Sequence, residues 1–237
     1  MALSLPVPPA PARPLRRYLR PPAPLHFPVH VPMPETDLHL LGRIALYESV
    51  RLALGDQGLV SSDQFVYWDA TDPKKCLAPD LGVRVGAPRS PIDSWKIWER
   101  GAPQVGVELV SDFDRSDRAL ERRLERYRQA GVLEVVRFDP RREPELRLWD
   151  LVDGDLVERD PADPEALRCD AMGLYWCIKE EPGIGRVLRL ARDKAGLEFL
   201  PTPAEAARES AEAARAAQEI AEARVRELEA LLSKRDA

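Results

Sequence analysis

Two short apolar stretches decide the fold of this chain, and each contains one acid: PDLGVRV (79–85) and VGVELV (105–110). Both read as β-strands because they are short, rich in valine and leucine, and bounded by turn-forming residues. Asp80 stands at the start of the first stretch, and Glu108 lies inside the second. A carboxylate in a half-buried strand costs on the order of several kcal/mol unless it is paired or binds a cation. These two acids are therefore the first candidates for a functional site.

Helices and further strands are predicted on both sides of these stretches. One helix is predicted from Asp37 to about Leu54, and a second from about Ser116 to Gln129. Strands are predicted at 64–70, 80–85, 104–110 and 132–138, with hairpins at 146–158 and at 173–180 with 186–200. The predicted fold class is α/β, with a mixed sheet flanked by the two helices, added β-hairpins and a long C-terminal helix.

Composition divides the chain into three segments. Residues 1–34 hold 11 of the 23 prolines and are predicted to form a proline-rich arm, followed by the α/β domain over 35–203. Residues 204–237 are rich in Ala, Glu and Arg and contain no Gly or Pro. That segment predicts a long exposed helix or a coiled coil, with a thin apolar seam at Ile220, Leu228, Leu231 and Leu232. Self-association through this helix and a single partly frayed helix are both left open.

Charge and cysteine usage exclude several protein classes. The net charge of −5 argues against a chain-wide basic surface, but not against a local basic patch. Cys76, Cys169 and Cys177 are an odd number without a C-x-x-C pair, which disfavours a zinc cage or disulfide framework and favours a cytoplasmic location. No apolar run approaches the roughly 20 residues that span a membrane, and we expect no signal peptide at the N-terminus.

The pattern around Glu108 suggests a metal site. In its strand Glu108 shares one face with Gly106, and this small residue is expected to leave room for a ligand. Two carboxylates on neighbouring strands make an oxygen site suited to Mg²⁺ or Mn²⁺. The carbonyl oxygen of Leu109 can supply a further ligand to the same ion.

The first helix offers a third acid. At helical spacing its apolar face is predicted to comprise Leu41, Ile44, Ala45 and Leu52. Glu48 falls on that face and is therefore a possible additional metal ligand. A glutamate at the edge of the stripe that reaches solvent is an equally good interpretation.

The second helix offers a cation. Arg123 falls on the stripe of Leu120, Leu124 and Tyr127, so we expect it to point toward the sheet and its acids. Phosphate contacts or an ordinary solvated face are both consistent with the arginines at the other positions of this helix, which are Arg115, Arg118, Arg122, Arg126 and Arg128.

The ordered set of motifs resembles the Uma2 family of endonucleases (DUF820), which belongs to the PD-(D/E)xK, restriction-endonuclease-like superfamily. The resemblance lies in APDLGVRVGAPR (78–89), in SWKIWERGAPQVGVELVSDFDRSDRALERRLERYRQAGVLEVVRFDP (94–140) and in LPTPAEAA (200–207) before the charged tail. It covers about three quarters of the chain, from about residue 35 to the tail. It implies a restriction-endonuclease-like fold, with Asp80 and Glu108 as the metal-binding acids.

The resemblance also shows two departures. The superfamily lysine, two residues after the second acid, is replaced by Val110. In this family the lysine is expected on the following helix, where the matching residue is Arg123. An arginine keeps the positive charge but stays protonated, so it can stabilise charge without deprotonating water. The second departure is Glu134-Val135-Val136 where the family has an E-Y-W run.

Three interpretations follow for the acid pair. The first is a divalent-metal-dependent endonuclease that hydrolyses phosphodiester bonds in DNA, with arginine at the lysine position, and that works as a homodimer through its core or its C-terminal helix. The second is a catalytically impaired protein of the same fold that acts as a binding or assembly scaffold through that helix. The third is a purely structural ion pair with Arg123, although such a pair adds little net stability.

Overall fold

The computed structural model describes residues 36–110 and 116–235. The helices in these ranges are α1 (Asp37–Leu54), α2 (Ile97–Arg100), α3 (Asp117–Ala130) and α4 (Pro203–Arg235). The strands are β1 (Gly58–Ser61), β2 (Val66–Tyr67), β3 (Cys76–Leu77), β4 (Leu81–Val85), β5 (Trp95–Lys96), β6 (Val105–Leu109), β7 (Glu134–Phe138), β8 (Leu146–Val152), β9 (Asp155–Glu158), β10 (Arg168–Cys169), β11 (Leu174–Glu181) and β12 (Gly185–Ala191). The predicted proline-rich arm and Arg115 lie outside the described residues.

Six of the described strands form the main sheet, in the order β1-β4-β6-β7-β8-β9. Strands β6 and β7 are parallel and are connected through α3, whereas the other neighbouring pairs are antiparallel. A parallel pair needs such a helical crossover, since a tight turn cannot return the chain to the same end. The mixed α/β architecture, with hairpins and a long C-terminal helix, is as predicted from the sequence.

The main sheet separates two apolar cores. On one face, α1 and the small sheet β10-β11-β12 pack over Val83, Val107 and Val136. On the other face, α3 and the small sheet β3-β2-β5 pack over Val135 and Trp149. Alternate residues of β6 therefore point to different cores, which places Glu108 on the face covered by α3.

Capping residues explain where the two main helices begin and end. The hydroxyl of Thr36 accepts a hydrogen bond from the His39 N–H, and that of Ser116 accepts one from the Ala119 N–H. Gly131 ends α3 in the left-handed conformation, with φ at 69°. Both helices accordingly match their predicted bounds to within about one residue.

The predicted buried face of α1 is wrong. Leu41, Ile44 and Leu52 are each at least 40% exposed, whereas the buried residues of this helix are Gly42, Leu46, Ser49 and Val50. Gly42 and Ser49 are not large apolar residues, so the apolar pattern of the sequence does not identify this face as the buried one. The Ser49 hydroxyl satisfies itself by donating to the Leu46 carbonyl at 3.0 Å.

Short elements were harder to predict from the sequence. The strand expected at 64–70 is confined to Val66–Tyr67, and β1 was not predicted. The segment between the predicted strands 80–85 and 104–110 contains β5 and α2, which were not predicted, and it buries Trp95 completely. Its indole N–H donates to the Gly101 carbonyl at 2.8 Å, so a local hydrogen bond rather than strand periodicity organises this segment.

Glu134 ties the main sheet to the sheet β10-β11-β12. Its Oε1 accepts the Trp176 indole N–H at 2.7 Å, and its Oε2 accepts an N–H of Arg159 at 3.1 Å. Arg159 also forms a two-pronged pair with Asp150. This buried acid is thus satisfied by structural partners within the core.

Among the helices of the described ranges, none combines the length and the apolar character needed to cross a bilayer.

Gly106 allows α3 to approach the sheet. A Cβ added there would lie 2.3 Å from Cε1 of Tyr127, which is fully buried. The room beside Glu108 that the sequence assigned to a ligand is therefore filled by the Tyr127 ring.

We expect Gly106→Ala to lower the free energy of unfolding by about 1–3 kcal/mol, because the buried ring has to move. Gly42→Ala is the matched control, since its added Cβ would meet Val187 at an ordinary 3.7 Å. That control should instead gain about 0.5–1 kcal/mol from helix propensity. Urea denaturation followed by circular dichroism measures both, and equal effects at the two positions would contradict this packing.

Candidate functional site

Asp80 continues the ladder between β4 and β6 with its side chain. Its N–H donates to the Val107 carbonyl at 3.0 Å, and its Oδ2 accepts the Leu109 N–H at 2.7 Å. The pairing of Leu81 with Val107 places Asp80 opposite Glu108. The carboxylate is thus fixed at the sheet edge with Oδ2 engaged, and Oδ1 faces α1.

Glu108 is held from both sides by α3. Its Oε2 accepts from Nε of Arg123 at 2.8 Å and lies 2.7 Å from Nη2 of the same guanidinium. Its Oε1 accepts from the Tyr127 hydroxyl. The Glu108 side chain is only 12% exposed, so these contacts supply most of what water would otherwise provide.

Burial is the largest influence on the pKa of Glu108. Loss of solvent raises the pKa of Glu108 from 4.5 to about 7, with Asp80 adding to the rise and Arg123 opposing it. The pKa of Tyr127 lies well above 10.0 because of burial and the adjacent Glu108, so the phenol stays a neutral donor. The Glu108 carboxylate raises the pKa of Arg123, which keeps the guanidinium charged.

Helix α1 brings two further groups that the sequence reading missed. Nε2 of His39 lies 2.9 Å from the Leu109 carbonyl oxygen and 3.3 Å from Oδ1 of Asp80. Nε of Arg43 lies 4.0 Å from the same Oδ1. These two residues are four apart on a helix, a spacing that puts both on one face. This spacing is present in the sequence, but the apolar residues on the opposite face of α1 give the stronger pattern.

A hydroxyl links Arg43 to the main chain of Asp80. Nη1 of Arg43 donates to Oγ of Ser62 at 3.0 Å, and the Ser62 hydroxyl donates to the Asp80 carbonyl at 2.9 Å. The segment before β4 is therefore fixed to α1 as well as to β6.

The structure brings together four of the five predicted site groups. Asp80, Glu108, Arg123 and the Leu109 carbonyl all lie at one edge of the main sheet. Glu48 is exposed, and nine residues from His39 it lies about half a turn around the helix, on the opposite side. The structure does not bring Glu48 to the acid pair, because the buried face of α1 is not the predicted one.

The oxygens at this edge suit a hard divalent cation. Oδ1 of Asp80 and the Leu109 carbonyl oxygen lie close together, since both are within 3.3 Å of Nε2 of His39. Carboxylate and carbonyl oxygens are the ligands that Mg²⁺ and Mn²⁺ prefer. Within the described ranges no three His, Cys, Asp or Glu side chains are grouped to hold a metal, so the main-chain oxygen is essential to the candidate set. Glu108 joins it only by turning from its partners on α3.

A cleft of about 340 Å³ opens beside these groups. His39, Leu109, Arg141 and Arg186 are among the residues that line it, whereas Asp80, Glu108 and Arg123 are not. The cleft therefore borders the candidate site on the side of His39 and Leu109.

Comparisons with known proteins give a partial structural match. No family model and no curated protein matches the chain. A crystal structure from Anabaena variabilis ATCC 29413, described as "a putative nuclease belonging to DUF820", is similar with a TM-score of 0.40 and 16% sequence identity, over 58% of this chain and 74% of that chain. The family it names is the one that the ordered motifs resemble. So partial an overlap says nothing about the site.

The raised pKa of Glu108 makes stability depend on pH. Between about 4.5 and about 7 the folded protein retains a proton that the unfolded chain has lost, so the stability contributed by Glu108 falls as pH rises through this range. We expect the free energy of unfolding of Glu108→Gln, relative to wild type, to rise from pH 4.5 to pH 7, as measured by urea denaturation in EDTA.

Glu125→Gln is the matched control on the same helix. Hydrogen bonds from Arg128 and Gln129 lower the pKa of Glu125 from 4.5 to about 2. Glu125 therefore makes the free energy of unfolding depend on pH only below about pH 4.5. Its difference from wild type should stay level between pH 4.5 and pH 7. A level difference for Glu108→Gln as well would show that this carboxyl titrates normally.

Proposed function

We propose that this protein is a divalent-metal-dependent endonuclease that hydrolyses phosphodiester bonds in DNA. The observation that carries the proposal is the placement of the Asp80 and Glu108 side chains on adjacent strands at one sheet edge, with the Leu109 carbonyl between them and α1. The motif order that resembles the Uma2 endonucleases supports the same reaction. Such oxygens form the kind of hard-cation site that metal-dependent phosphodiester hydrolysis uses.

Three groups of this chain would form the metal site. Asp80, the Leu109 carbonyl and Glu108 would hold Mg²⁺ or Mn²⁺ at the sheet edge. When bound, such an ion lowers the pKa of a coordinated water and offsets the charge of the phosphate. The Leu109 N–H fixes the Asp80 carboxylate at 2.7 Å, so the orientation of this ligand is set before any substrate arrives.

Arg123 stabilises charge and positions Glu108. Its Nε and Nη2 converge on one oxygen of the Glu108 carboxylate, at 2.8 and 2.7 Å. The guanidinium stays protonated, so it does not act as a general base. Its side chain is 29% exposed, which leaves its outer edge able to face a substrate phosphate.

Cationic side chains beside the acids favour a polyanionic substrate. Arg137 on β7 is paired in register with Glu108, and Arg147 on β8 is paired with Arg137. Arg142, in the turn between these strands, is 44% exposed and contacts Asp117 in the first turn of α3. Arg137 is buried and Arg147 is paired with Glu158. A strand of nucleic acid crossing this edge would therefore meet Arg142 first, despite the net charge of −5.

The proposal extends to partners and compartment. DNA is the proposed substrate, and a homodimer through the core or α4 would allow two sites to cut two strands. The three cysteines are not joined in disulfides, which suits the reducing cytoplasm proposed as its location.

We expect Asp80→Asn and Glu108→Gln to reduce nicking of supercoiled plasmid in Mg²⁺ or Mn²⁺ at least about 100-fold, because each removes an anionic ligand. Glu48→Gln makes the same chemical change on the far side of α1 and should cleave like wild type. Calorimetric Mn²⁺ titration on the same samples should show binding to wild type and its loss in Asp80→Asn. Nicking that survives in both site variants would place the reaction elsewhere.

The second candidate function is assembly through α4. From Ala207 to Ala230 each residue of this helix is exposed, including the apolar Ile220, Val225 and Leu228. That exposure is typical of a helix with a partner, and a second copy of the chain is the proposed partner. A wild type that binds no divalent ion and nicks no DNA would leave this function in place of the endonuclease.

A further inference from the structure

Nε2 of His39 lies close to both oxygens, one from Asp80 and one from Leu109, that would coordinate a cation. Its Nε2 is 2.9 Å from the Leu109 carbonyl oxygen and 3.3 Å from Oδ1 of Asp80. One ring nitrogen thus faces two oxygens at once, and a ring nitrogen carries at most one hydrogen to share between them.

These separations match the edges of a metal coordination shell. For ligands at about 2.1 Å from an octahedral ion, neighbouring ligand atoms are about 3 Å apart. The three atoms Nε2 of His39, Oδ1 of Asp80 and the Leu109 oxygen already have two such edges. A small ion bound by all three atoms would keep these two separations, once Nδ1 rather than Nε2 carries the ring hydrogen.

The three groups are also fixed in place by different elements. The Leu109 N–H fixes Asp80, the ladder between β6 and β7 fixes Leu109, and α1 carries His39, whose side chain is 14% exposed. Preorganised ligands from separate rigid elements are what a metal site requires. Glu108, in contrast, is engaged by Arg123 and Tyr127 on the other side of the sheet edge.

We propose that His39 is a direct metal ligand, which makes this a mixed nitrogen and oxygen site that binds Mn²⁺ more tightly than Mg²⁺. This inference rests on the proposed metal-dependent function and goes further, since it names the ion class. An imidazole ligand favours first-row transition ions, whereas Mg²⁺ prefers a shell of oxygens alone. His39 thus sets metal selectivity, and the acids supply the charge.

The test is calorimetric titration of the full chain with Mn²⁺ and, separately, with Mg²⁺. His39→Gln should weaken Mn²⁺ binding at least about tenfold and Mg²⁺ binding much less, so that the preference for Mn²⁺ falls. The chain contains three histidines, and the double variant His26→Gln/His30→Gln is the matched control that should bind like wild type. Thermal melts of each variant check that it is folded.

A spectroscopic measurement keeps the test independent of the variants. Electron spin-echo modulation of the Mn²⁺-loaded wild type should show coupling to an imidazole ¹⁴N, which the control variant retains. Tight Mn²⁺ binding without this coupling, or equal or stronger binding by His39→Gln, would overturn the ligand role and leave the endonuclease proposal standing. A wild type that binds neither ion would overturn both, and plasmid nicking then shows whether a metal-independent activity remains.

Discussion

The structure depends on the burial of two carboxylates side by side at the edge of one sheet. The ladder between β4 and β6 brings Asp80 next to Glu108, where neither can be fully hydrated. Four side chains offset the lost hydration of these carboxylates: Arg123 and Tyr127 from α3, and His39 and Arg43 from α1. A buried ion pair of this kind adds little to stability, since desolvation offsets most of the attraction. The polar groups that α1 and α3 direct toward the acid pair are therefore better explained by a function than by stability.

The acid pair also explains details that packing alone leaves unexplained. Gly106 is required because the Tyr127 ring passes over it to reach Glu108. Burial raises the pKa of Glu108 to about 7, so a carboxylate is kept where an uncharged residue would be more stable at neutral pH. Unfavourable ionisation of this sort is characteristic of functional sites.

The sequence predicted the architecture well and the site in part. Strand periodicity and caps located α1, α3, β4, β6 and β7, because each is long or strongly bounded. The stripe on α3 correctly directed Arg123 to Glu108. The buried face of α1 could not be found in this way, since Gly42 and Ser49 occupy inward positions without being large and apolar. His39 was consequently not identified as a site residue, and of the two interpretations of Glu48 the one that reaches solvent is correct. The hydrogen bond from Tyr127 to Glu108 could not be predicted, because it depends on the distance between α3 and β6, which the spacing of residues along the chain does not specify.

Anomalous diffraction from crystals soaked in Mn²⁺ tests the central claim most directly. We predict an anomalous peak about 2.1–2.3 Å from Oδ1 of Asp80 and from the Leu109 carbonyl oxygen, with the peak absent in crystals of Asp80→Asn. The metal-dependent account would be contradicted by well-ordered soaked crystals that show no peak at this edge, or by a peak that persists unchanged in Asp80→Asn.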